Sequence, residues 1–367
     1  MKKICVFCET WSTGGIEAFL CRLLNQMDKS DLQIDLVAAK IDKDSVFTPE
    51  LEKSSVRMLQ LSGSKTRWFS NIRKFQKLLN EQEYDVVHLN AFQGLQLVYL
   101  WLAKRAGVPV RIAHSHGSDL RKSPVRWCKL LLHRIGKMLF EHAATVRWAC
   151  SGSAAEFMFG QGSGASMIPN GISVEQFRFC PERREAVREE LGLTNRFVIG
   201  TVGRLQYDKN QSFLLDVLAE MLPRCPESVL LLVGDGPARQ ELQNKATTLG
   251  VADQVIFYGI SDHPEKLLWS MDAFAFPSLS EGLGIVSVEA QAAGLPVICS
   301  EHIPEEAKLT TLFHRVPLTK GVAAWAEALM QSVGSGQNRA ASAELVRRAG
   351  FEISDVAELV RSTYLRE

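Results

Sequence analysis

The sequence predicts an α/β protein with two doubly wound, Rossmann-like domains. Short apolar runs alternate with amphipathic stretches through the first half of the chain, and the alternation starts again after Pro169-Asn170-Gly171. This rhythm indicates parallel strands whose connecting helices cover both faces of a sheet. The length of 367 residues, more than one hydrophobic core usually holds, also favours two domains. We expect domains at residues 1–168 and 169–351, with a helix at about 352–367 that packs back on the first domain.

The first domain is predicted to alternate strands and helices along its whole length. Its strands are short apolar runs, as expected where both faces of a parallel sheet are covered, and its helices are amphipathic. We predict strands at residues 4–7, 34–38, 86–89 and 110–114, and helices at 16–27, 68–80 and 95–106.

The second domain repeats the same pattern after residue 170. Its apolar runs predict strands at residues 197–202, 229–233, 255–258, 273–276 and 296–299. Helices are predicted at residues 212–221, 237–249, 265–271 and 286–293, and then at 324–330, 343–347 and 356–364.

The two halves of the chain carry opposite net charges, although the total charge is close to zero. Lys and Arg number 42 and Asp and Glu number 41, which gives a net charge of +1. Residues 1–170 carry 23 basic and 15 acidic side chains, whereas the remainder carries 19 and 26. A basic half and an acidic half indicate different surface partners. The near-neutral total, without a recognisable reading module, argues against nucleic acid.

The chain carries no sequence signal for crossing or leaving a membrane. It lacks an apolar run of about 18 residues, the length that a membrane-spanning helix needs. The apolar stretch at residues 4–7 is too short for the core of a signal peptide. We therefore expect a cytoplasmic protein, in which Cys5 and Cys8 remain buried free thiols.

A glycine pair marks the first candidate ligand site. Ligands of open α/β sheets bind at the carboxyl ends of the strands, so we expect the two domains to face each other across a cleft that holds the site. Gly14-Gly15 follows the first strand and exposes N–H groups that suit an anion at a helix start. The dinucleotide fingerprint G-x-G-x-x-G is absent, and a plain tight turn explains the pair equally well.

Two cations follow the first strand of the second domain. Gly203-Arg204 ends this strand, and Lys209 comes five residues after the arginine. Arginine offers a planar fork of donors and lysine a mobile point charge, which together suit a diphosphate without a metal. A loop with solvated charges is the alternative.

The segment Glu281-Gly282-Leu283-Gly284, followed by Glu289, carries the strongest signal. Its glycines let the chain turn into a helix and direct N–H groups toward a phosphate. Glu289 lies one to two turns into this helix, where it could accept hydrogen bonds from a ribose diol, and Glu281 could accept them from sugar hydroxyls. An ordinary pair of solvated carboxylates is the alternative.

Three histidines lie at the ends of predicted strands. His114-Ser115-His116-Gly117 closes one strand, and His88 closes the strand before it. The i, i+2 spacing, without a third ligand nearby, argues against a metal site. A structural role explains His114 and His88 as well as a place in the site does.

A basic amphipathic stretch occupies residues 121–147. Its composition suits an anionic membrane surface, and an ordinary helix with one face in the core is the alternative. Its basic residues before Arg147 are Arg121, Lys122, Arg126, Lys129, Arg134 and Lys137, its acid is Glu141, and its interleaved apolar residues are Trp127, Leu130, Leu131, Met138, Leu139 and Phe140.

In combination, these motifs resemble glycosyltransferase family 4, whose retaining enzymes use nucleotide sugars and have the GT-B fold. The resemblance rests on Gly14-Gly15, on Gly203-Arg204 with Lys209, and on Glu281-x7-Glu289 followed by Ala-Gln-Ala-Ala-Gly-Leu-Pro. It covers nearly the whole chain. The sequence around His114 and from Glu289 onward is similar to bacterial exopolysaccharide and capsule transferases.

The resemblance implies a role for each motif. The cations would hold the donor diphosphate, Glu289 would bind the ribose, and Glu281 with the backbone that follows it would face the transferred sugar. Gly15 would lie beside the phosphates. The donor-binding set is therefore Gly14, Gly15, Gly203, Arg204, Lys209, Glu281, Gly282, Leu283, Gly284 and Glu289.

A histidine completes the reaction centre that the resemblance implies. His116 would contact the donor sugar, and His114 is the competing match. His88 and Asn170 are secondary candidates. The implied catalytic set is His116, Glu281, Arg204 and Lys209.

The resemblance also implies the reaction. A sugar would move with retention from a nucleotide-diphosphate donor to a lipid-linked or polysaccharide acceptor in cell-surface polysaccharide biosynthesis, at the inner face of the membrane. No metal or other cofactor would be needed; Asp42-Lys43-Asp44 has the Asp-x-Asp spacing but lies in a polar loop. A sugar-nucleotide epimerase of the same fold and a non-catalytic nucleotide-sugar-binding subunit are the alternatives. The missing glycine pattern disfavours a dehydrogenase.

Overall fold

The computed structural model describes residues 1–119, 125–332 and 339–366, and the chain divides into two compact units. Unit 1 comprises Met1–Ile172 and Glu352–Glu367, and unit 2 comprises Ser173–Phe351. Each unit is an α/β domain with its own parallel sheet. The predicted α/β class with two Rossmann-like domains is confirmed.

The sheet of unit 1 has seven parallel strands in the order β3-β2-β1-β4-β5-β6-β7. Strands β2 and β3 lie on one side of β1, and β4 to β7 lie on its other side. The strand order therefore reverses between β1 and β4. The strands are β1 (Lys2–Trp11), β2 (Leu32–Ile41), β3 (Arg57–Gln60), β4 (Val86–Ala91), β5 (Val110–Ser115), β6 (Val146–Ala149) and β7 (Ser166–Met167).

The sheet of unit 2 has six parallel strands in the order β10-β9-β8-β11-β12-β13. Its order reverses in the same way, between β8 and β11. The strands are β8 (Phe197–Val202), β9 (Ser228–Val233), β10 (Val255–Gly259), β11 (Ala273–Phe276), β12 (Val297–Cys299) and β13 (Phe313–Arg315).

Helices connect these parallel strands. The first six are α1 (Gly15–Gln26), α2 (Thr48–Glu52), α3 (Trp68–Gln82), α4 (Val98–Arg105), α5 (Arg126–Phe140) and α6 (Gly152–Phe159). Those that follow are α7 (Val174–Phe177), α8 (Pro181–Glu190), α9 (Gln211–Met221), α10 (Arg239–Thr248), α11 (Pro264–Ser270), α12 (Ile285–Ala292), α13 (Gly321–Gln331), α14 (Ser342–Val346) and α15 (Ile353–Leu365).

The predicted elements are present with small shifts at their ends. Strands at residues 197–202 and 273–276 have the predicted bounds, because apolar runs end there at glycine or proline. The predicted helix at 95–106 begins as a 3-10 turn, Gly94–Leu97, before α4. Strands β3, β6, β7 and β13 were not predicted; they are two to four residues long and lie toward the sheet edges, where no apolar run is needed.

Helix α15 returns to unit 1 and is held there by backbone and side-chain bonds. The Ile353 N–H donates to the Ile172 carbonyl at 2.9 Å. Arg361 donates to the Asp28 carbonyl at 3.0 Å, and the Tyr364 hydroxyl lies 2.6 Å from Nδ1 of His88. The buried end of this helix therefore reaches β4 in the middle of the first sheet.

Helix α5 contains most of the basic stretch, although Arg121 and Lys122 lie outside the described residues. It meets the 3-10 turn at Gly94–Leu97 backbone to backbone, through Gly136 and Gly94. A Cβ on Gly136 would lie 2.4 Å from the Gly94 carbonyl carbon and from the Leu95 nitrogen. The contact thus requires a residue without a side chain.

No helix in the described ranges combines the length and the apolar character that a bilayer crossing requires.

Replacing Gly136 by alanine is expected to destabilise unit 1. The added methyl group meets backbone atoms rather than a flexible side chain, so the free energy of unfolding should fall by about 1–3 kcal/mol. Urea unfolding followed by circular dichroism measures the change. Lys129→Ala, at an exposed position of the same helix, is the control; equal stability of the two variants would contradict the tight contact.

Candidate active site

The loops after β8 and β11 form the candidate site of unit 2. These strands are neighbours at the point where the strand order reverses, which is where open α/β sheets leave a crevice for a ligand. Residues 203–210 follow β8 and residues 277–284 follow β11. The two strongest sequence motifs therefore come together at one edge of one sheet.

Backbone and side-chain bonds join these two loops. The Leu279 N–H donates to the Asp208 carbonyl at 2.8 Å. The Asn210 amide donates to the Pro277 carbonyl at 3.3 Å. Asn210 itself has a left-handed backbone, with φ of 55°, and turns the chain into α9. The positions of both loops are therefore fixed before any ligand binds.

The closest contact between the loops is an ion pair. Nζ of Lys209 lies 2.5 Å from Oε1 of Glu281, and the side chains are only 22% and 10% exposed. The ring of Phe276 lies beneath the ammonium group, at 5.9 Å. The sequence predicted both residues as donor-binding groups, but their mutual contact was not foreseen.

Arg204 is placed differently from Lys209. Its side chain is exposed, and it makes no hydrogen bond or ion pair with any residue that the structure describes. Its carbonyl oxygen accepts a hydrogen bond from the Gln211 side chain at 3.0 Å, which holds the backbone in place. The guanidinium group is thus available to an anion while its main chain is fixed.

Gly284 caps the N-terminus of helix α12, and its backbone conformation explains why the motif has a glycine at this position. Its φ of 81° lies in the left-handed region, and a Cβ would lie 2.8 Å from Cε1 of Phe276. The buried Leu283 side chain anchors the loop beside it. The N–H groups that open α12 are therefore presented next to Glu281 and Gly282.

Glu289 lies inside α12 and is only 4% exposed. A carboxylate this deep is costly unless it has polar partners, so its position indicates a specific role rather than a solvated surface charge. The alternative of an ordinary solvated pair does not fit either glutamate.

The turn at Gly234-Asp235-Gly236 packs against the loop that carries Arg204 and Lys209. The Leu205 N–H donates to the Asp235 carbonyl at 3.0 Å, and the Gly203 N–H donates to the Val233 carbonyl at 2.9 Å. A Cβ on Gly234 would lie 2.1 Å from the Gly203 oxygen. These glycines serve close packing beneath residues 203–205.

In unit 1, Gly14 lies between β1 and α1, and Gly15 is the first residue of α1. Gly14 is the N-terminal cap residue and gives the helix no side-chain hydrogen bond. A Cβ on Gly14 would lie 2.6 Å from Oε2 of Glu17, whose Oε1 accepts a hydrogen bond from Ser12 at 3.0 Å. A carboxylate of the chain itself therefore lies beside this helix start, and a phosphate would have to share the space with it.

The three histidines form one buried group. Nε2 of His88 lies 3.2 Å from Nδ1 of His114, and the rings of His114 and His116 are 4.1 Å apart. His88 lies within β4 and His114 within β5, and both are fully buried. His116 lies just beyond β5, and its N–H donates to the Ala91 carbonyl at 3.0 Å. Among the three, His116 is at the carboxyl end of its strand.

Asn90 sets the proton arrangement of His116. The Asn90 amide group donates to the Phe7 carbonyl at 3.3 Å, which leaves its oxygen to face Nε2 of His116 at 2.9 Å. Nε2 must therefore carry the proton, and Nδ1 keeps its lone pair. Burial lowers the pKa of His116 to about 3, so the ring is neutral at pH 7. The interaction with the side chain of Asn170 opposes this shift.

Sequence reasoning missed Asn90 and Tyr364. Asn90 is a buried polar residue two positions after His88 on the same strand, which is the signal that could have drawn attention to it. Tyr364 gives no comparable signal, because its contact with His88 joins residues 276 positions apart.

Within residues 1–119, 125–332 and 339–366, no group of three His, Cys, Asp or Glu side chains is arranged to hold a metal ion. Asp42 instead accepts a hydrogen bond from the Asp44 N–H at 3.2 Å in the turn after β2.

Two family descriptions match the chain, one in each unit. Residues 14–171 match the glycosyl transferase 4-like domain, and residues 183–330 match the glycosyl transferases of group 1.

Two relatives are similar over most of the chain. EpsF of Bacillus subtilis, provisionally named a glycosyltransferase, is 31% identical over 333 residues, which cover 88% of this chain and 86% of EpsF. A GDP-mannose-dependent alpha-(1-6)-phosphatidylinositol monomannoside mannosyltransferase of Mycolicibacterium smegmatis is 33% identical over 295 residues, or 78% of this chain and 76% of that enzyme. Among solved structures, Anabaena Alr3699/HepE in complex with UDP-glucose has a TM-score of 0.80 and 22% identity over 99% of both chains.

The buried histidines are expected to make stability depend on pH. Burial lowers the pKa of both His88 and His116 to about 3, whereas an unfolded chain titrates near 6.5. Below the unfolded value, the unfolded chain binds more protons than the folded one. The free energy of unfolding should therefore fall as pH drops from about 6.5 toward 3, by up to about 1.4 kcal/mol per pH unit for each histidine.

Urea unfolding of the parent and of His88→Gln between pH 7.5 and 4.5 tests this dependence. The variant should lose part of the pH slope whatever its stability at pH 7.5. His263→Gln, at an exposed position in unit 2, is the control and should keep the full slope. An unchanged slope in His88→Gln would show that this histidine takes up its proton without cost.

Proposed function

Because this chain belongs to glycosyltransferase family 4 and has the two-domain GT-B fold, we propose that it is a retaining enzyme of cell-surface polysaccharide biosynthesis. It would move a sugar from a nucleotide-diphosphate donor to a lipid-linked or polysaccharide acceptor. The names of its relatives support both halves of this proposal. The mannosyltransferase uses GDP-mannose and acts on a glycolipid, and HepE binds UDP-glucose.

The observation that carries the proposal is the cation pair at the strand-order reversal of unit 2. Lys209 is positioned by Glu281, while the exposed side chain of Arg204 makes no hydrogen bond or ion pair with the described residues. An ammonium group has three N–H donors, and the ion pair uses one of them. The remaining donors of Lys209 and the fork of Arg204 are suited to a diphosphate, and we assign them to that group.

The proposed chemistry follows from the charge that develops as the donor breaks. The bond between the anomeric carbon and the diphosphate oxygen breaks, and its electron pair stays on the oxygen. Arg204, Lys209 and the N–H groups that open α12 would stabilise this growing negative charge. Glu289 would accept hydrogen bonds from the ribose, and Glu281 from the transferred sugar, with Gly203 and residues 282–284 lining the donor.

Retention requires the acceptor hydroxyl to attack the face that the diphosphate leaves. The departing phosphate oxygen then takes the proton of that hydroxyl, so that atoms and charge balance without a covalent enzyme intermediate. His116 is neutral at pH 7, and we assign it a hydrogen bond to the donor sugar rather than a proton transfer. His114 and His88 would hold the ring in place from within the sheet.

Unit 1 would bind the acceptor, and the protein would work in the cytoplasm at the inner face of the cell membrane. Its excess of basic residues supports this placement, because lipid-linked acceptors present phosphates at an anionic surface. The roles proposed for Gly14 and Gly15 require Glu17 to share or leave the start of α1.

Removing either cation should slow the reaction, because each one stabilises the charge on the leaving diphosphate. Arg204→Ala and Lys209→Ala are each expected to lower kcat/KM by roughly 30-fold to 1000-fold, the range for losing one donor to a developing anion. The measurement is release of UDP or GDP from a panel of UDP- and GDP-sugars, with and without a glycolipid acceptor.

Two variants of the same unit serve as controls. Lys245→Ala breaks an ion pair with Asp216 of similar length, 2.6 Å, and Arg224→Ala removes an exposed arginine paired with Glu327. Both should keep parental turnover. Turnover within threefold of the parent in Arg204→Ala and Lys209→Ala would overturn the assignment, and a new nucleotide sugar formed without acceptor would indicate an epimerase.

The proposed mechanism needs no divalent ion, so a chelator should leave turnover unchanged. Activity assayed in EDTA is expected to equal activity assayed with added Mg²⁺, because the two cations neutralise the leaving group. Loss of activity in EDTA and its return with Mg²⁺ would show that a metal takes that role.

A further inference from the structure

Helix α5 buries an unusual face. Of its fifteen residues, only His133 and Gly136 are buried. An amphipathic helix on a protein surface normally turns its large apolar residues toward the core. Here the two buried residues are a glycine and a hydrogen-bonding histidine. Phe140, the last residue of the helix, packs on the core beside Trp101.

Five large apolar side chains of α5 are exposed. Trp127, Leu131 and Met138 are 81%, 60% and 75% exposed. They are four and seven residues apart, which places them in one stripe along the helix. Leu132 and Leu139 are exposed beside this stripe. We call these five residues the α5 stripe.

Polar contacts fix the rotation of the helix and keep the α5 stripe outside. Nδ1 of His133 accepts a hydrogen bond from the Gly94 N–H at 2.9 Å, and its Nε2 donates to the Phe157 carbonyl at 3.1 Å. Lys137 donates to the same carbonyl at 3.1 Å. Rotating α5 to bury the stripe would break these bonds and the contact between Gly94 and Gly136. The exposure is therefore a property of the folded unit.

The charge of α5 indicates what covers the stripe. The helix has no acidic residue, and its exposed cations include Lys129 and Arg134. Arg134 follows Leu131 by three residues and precedes Met138 by four, so it lies along the stripe itself. The nearby acids Asp119 and Glu141 are paired with Arg126 and Arg147. Such a cationic helix repels a second copy of itself, whereas it complements an anionic lipid surface.

We propose that α5 lies in the headgroup region of an anionic bilayer, with the α5 stripe at the boundary of the acyl chains. Lys129 and Arg134 contact lipid phosphates, and the apolar side chains leave water. This inference names the membrane-contact residues of the proposed function, but the surface itself needs neither donor nor acceptor. Binding therefore has an apolar part that resists salt and an ionic part that salt screens.

Sedimentation of the full chain with vesicles tests the proposal. The probes are vesicles of phosphatidylcholine alone and of phosphatidylcholine with phosphatidylglycerol, at low and high salt. The parent should bind the anionic vesicles and bind the neutral ones at least tenfold more weakly. Leu131→Ser with Met138→Ser should weaken binding to anionic vesicles at least tenfold at either salt concentration, because the apolar part is lost.

Charge reversal should act differently. Lys129→Glu with Arg134→Glu should weaken binding at least tenfold at low salt, and added salt should reduce that difference. Leu345→Ser with Leu359→Ser, at two exposed leucines outside α5, is the control and should bind as the parent does. Thermal unfolding of each variant verifies that it is folded.

Three outcomes would overturn the proposal. The parent could fail to bind anionic vesicles, or the stripe variant could bind as well as the parent. The stripe variant could instead change the oligomeric state in size-exclusion chromatography, which would make the stripe a protein interface. Release of UDP or GDP from nucleotide sugars without vesicles tests the proposed function separately and should be the same in the parent and all three double variants.

Discussion

The ion pair between Lys209 and Glu281 is the interaction on which the candidate site depends. It joins loops that are 72 residues apart in sequence but adjacent at the strand-order reversal of unit 2. Both side chains are largely withdrawn from water, so neither charge is stable there without the other. Glu281 thus holds the ammonium group of Lys209 at the carboxyl ends of β8 and β11. These parallel strands determine where the two loops begin.

In unit 1, hydrogen bonds rather than an ion pair position the side chains at the strand ends. The rings of His88, His114 and His116 pack against Phe19 of α1 and Tyr364 of α15, and burial keeps them neutral. Order comes from directional hydrogen bonds instead, from Tyr364 to His88 and from Asn90 to His116. The two units therefore share a topology, but an ion pair fixes the strand ends that form the candidate site of unit 2, whereas neutral rings fix the corresponding strand ends of unit 1. That division agrees with a diphosphate held by unit 2.

The sequence was sufficient for the fold class and for most elements, because buried parallel strands are written as apolar runs. It was insufficient where the chain has no such run, as at β3 and β7 on the edges of the first sheet. The motifs that meet in unit 2 were identifiable by residue type and spacing, whereas Asn90 and Tyr364 in unit 1 were not. The contacts of the motif residues were not identifiable, because the pairing of Lys209 with Glu281 and the approach of Glu17 to Gly14 depend on how loops fold.

Helix α5 illustrates the same limit. Its composition predicts an amphipathic helix, but composition does not say which face meets the protein. Here the close contact of Gly94 with Gly136 and the hydrogen bonds of His133 and Lys137 fix the face that meets unit 1.

The meeting of Gly94 with Gly136 has a mechanical consequence. Side chains between packed helices usually act as cushions, because they change rotamer and absorb small displacements. At this junction the backbones touch directly, without side chains of the two glycines between them. A displacement of the helix should therefore displace the 3-10 turn as well. That turn begins four residues after Asn90, which lies near the end of β4. A displacement of α5 should therefore reach the end of β4, where Asn90 orients the imidazole of His116.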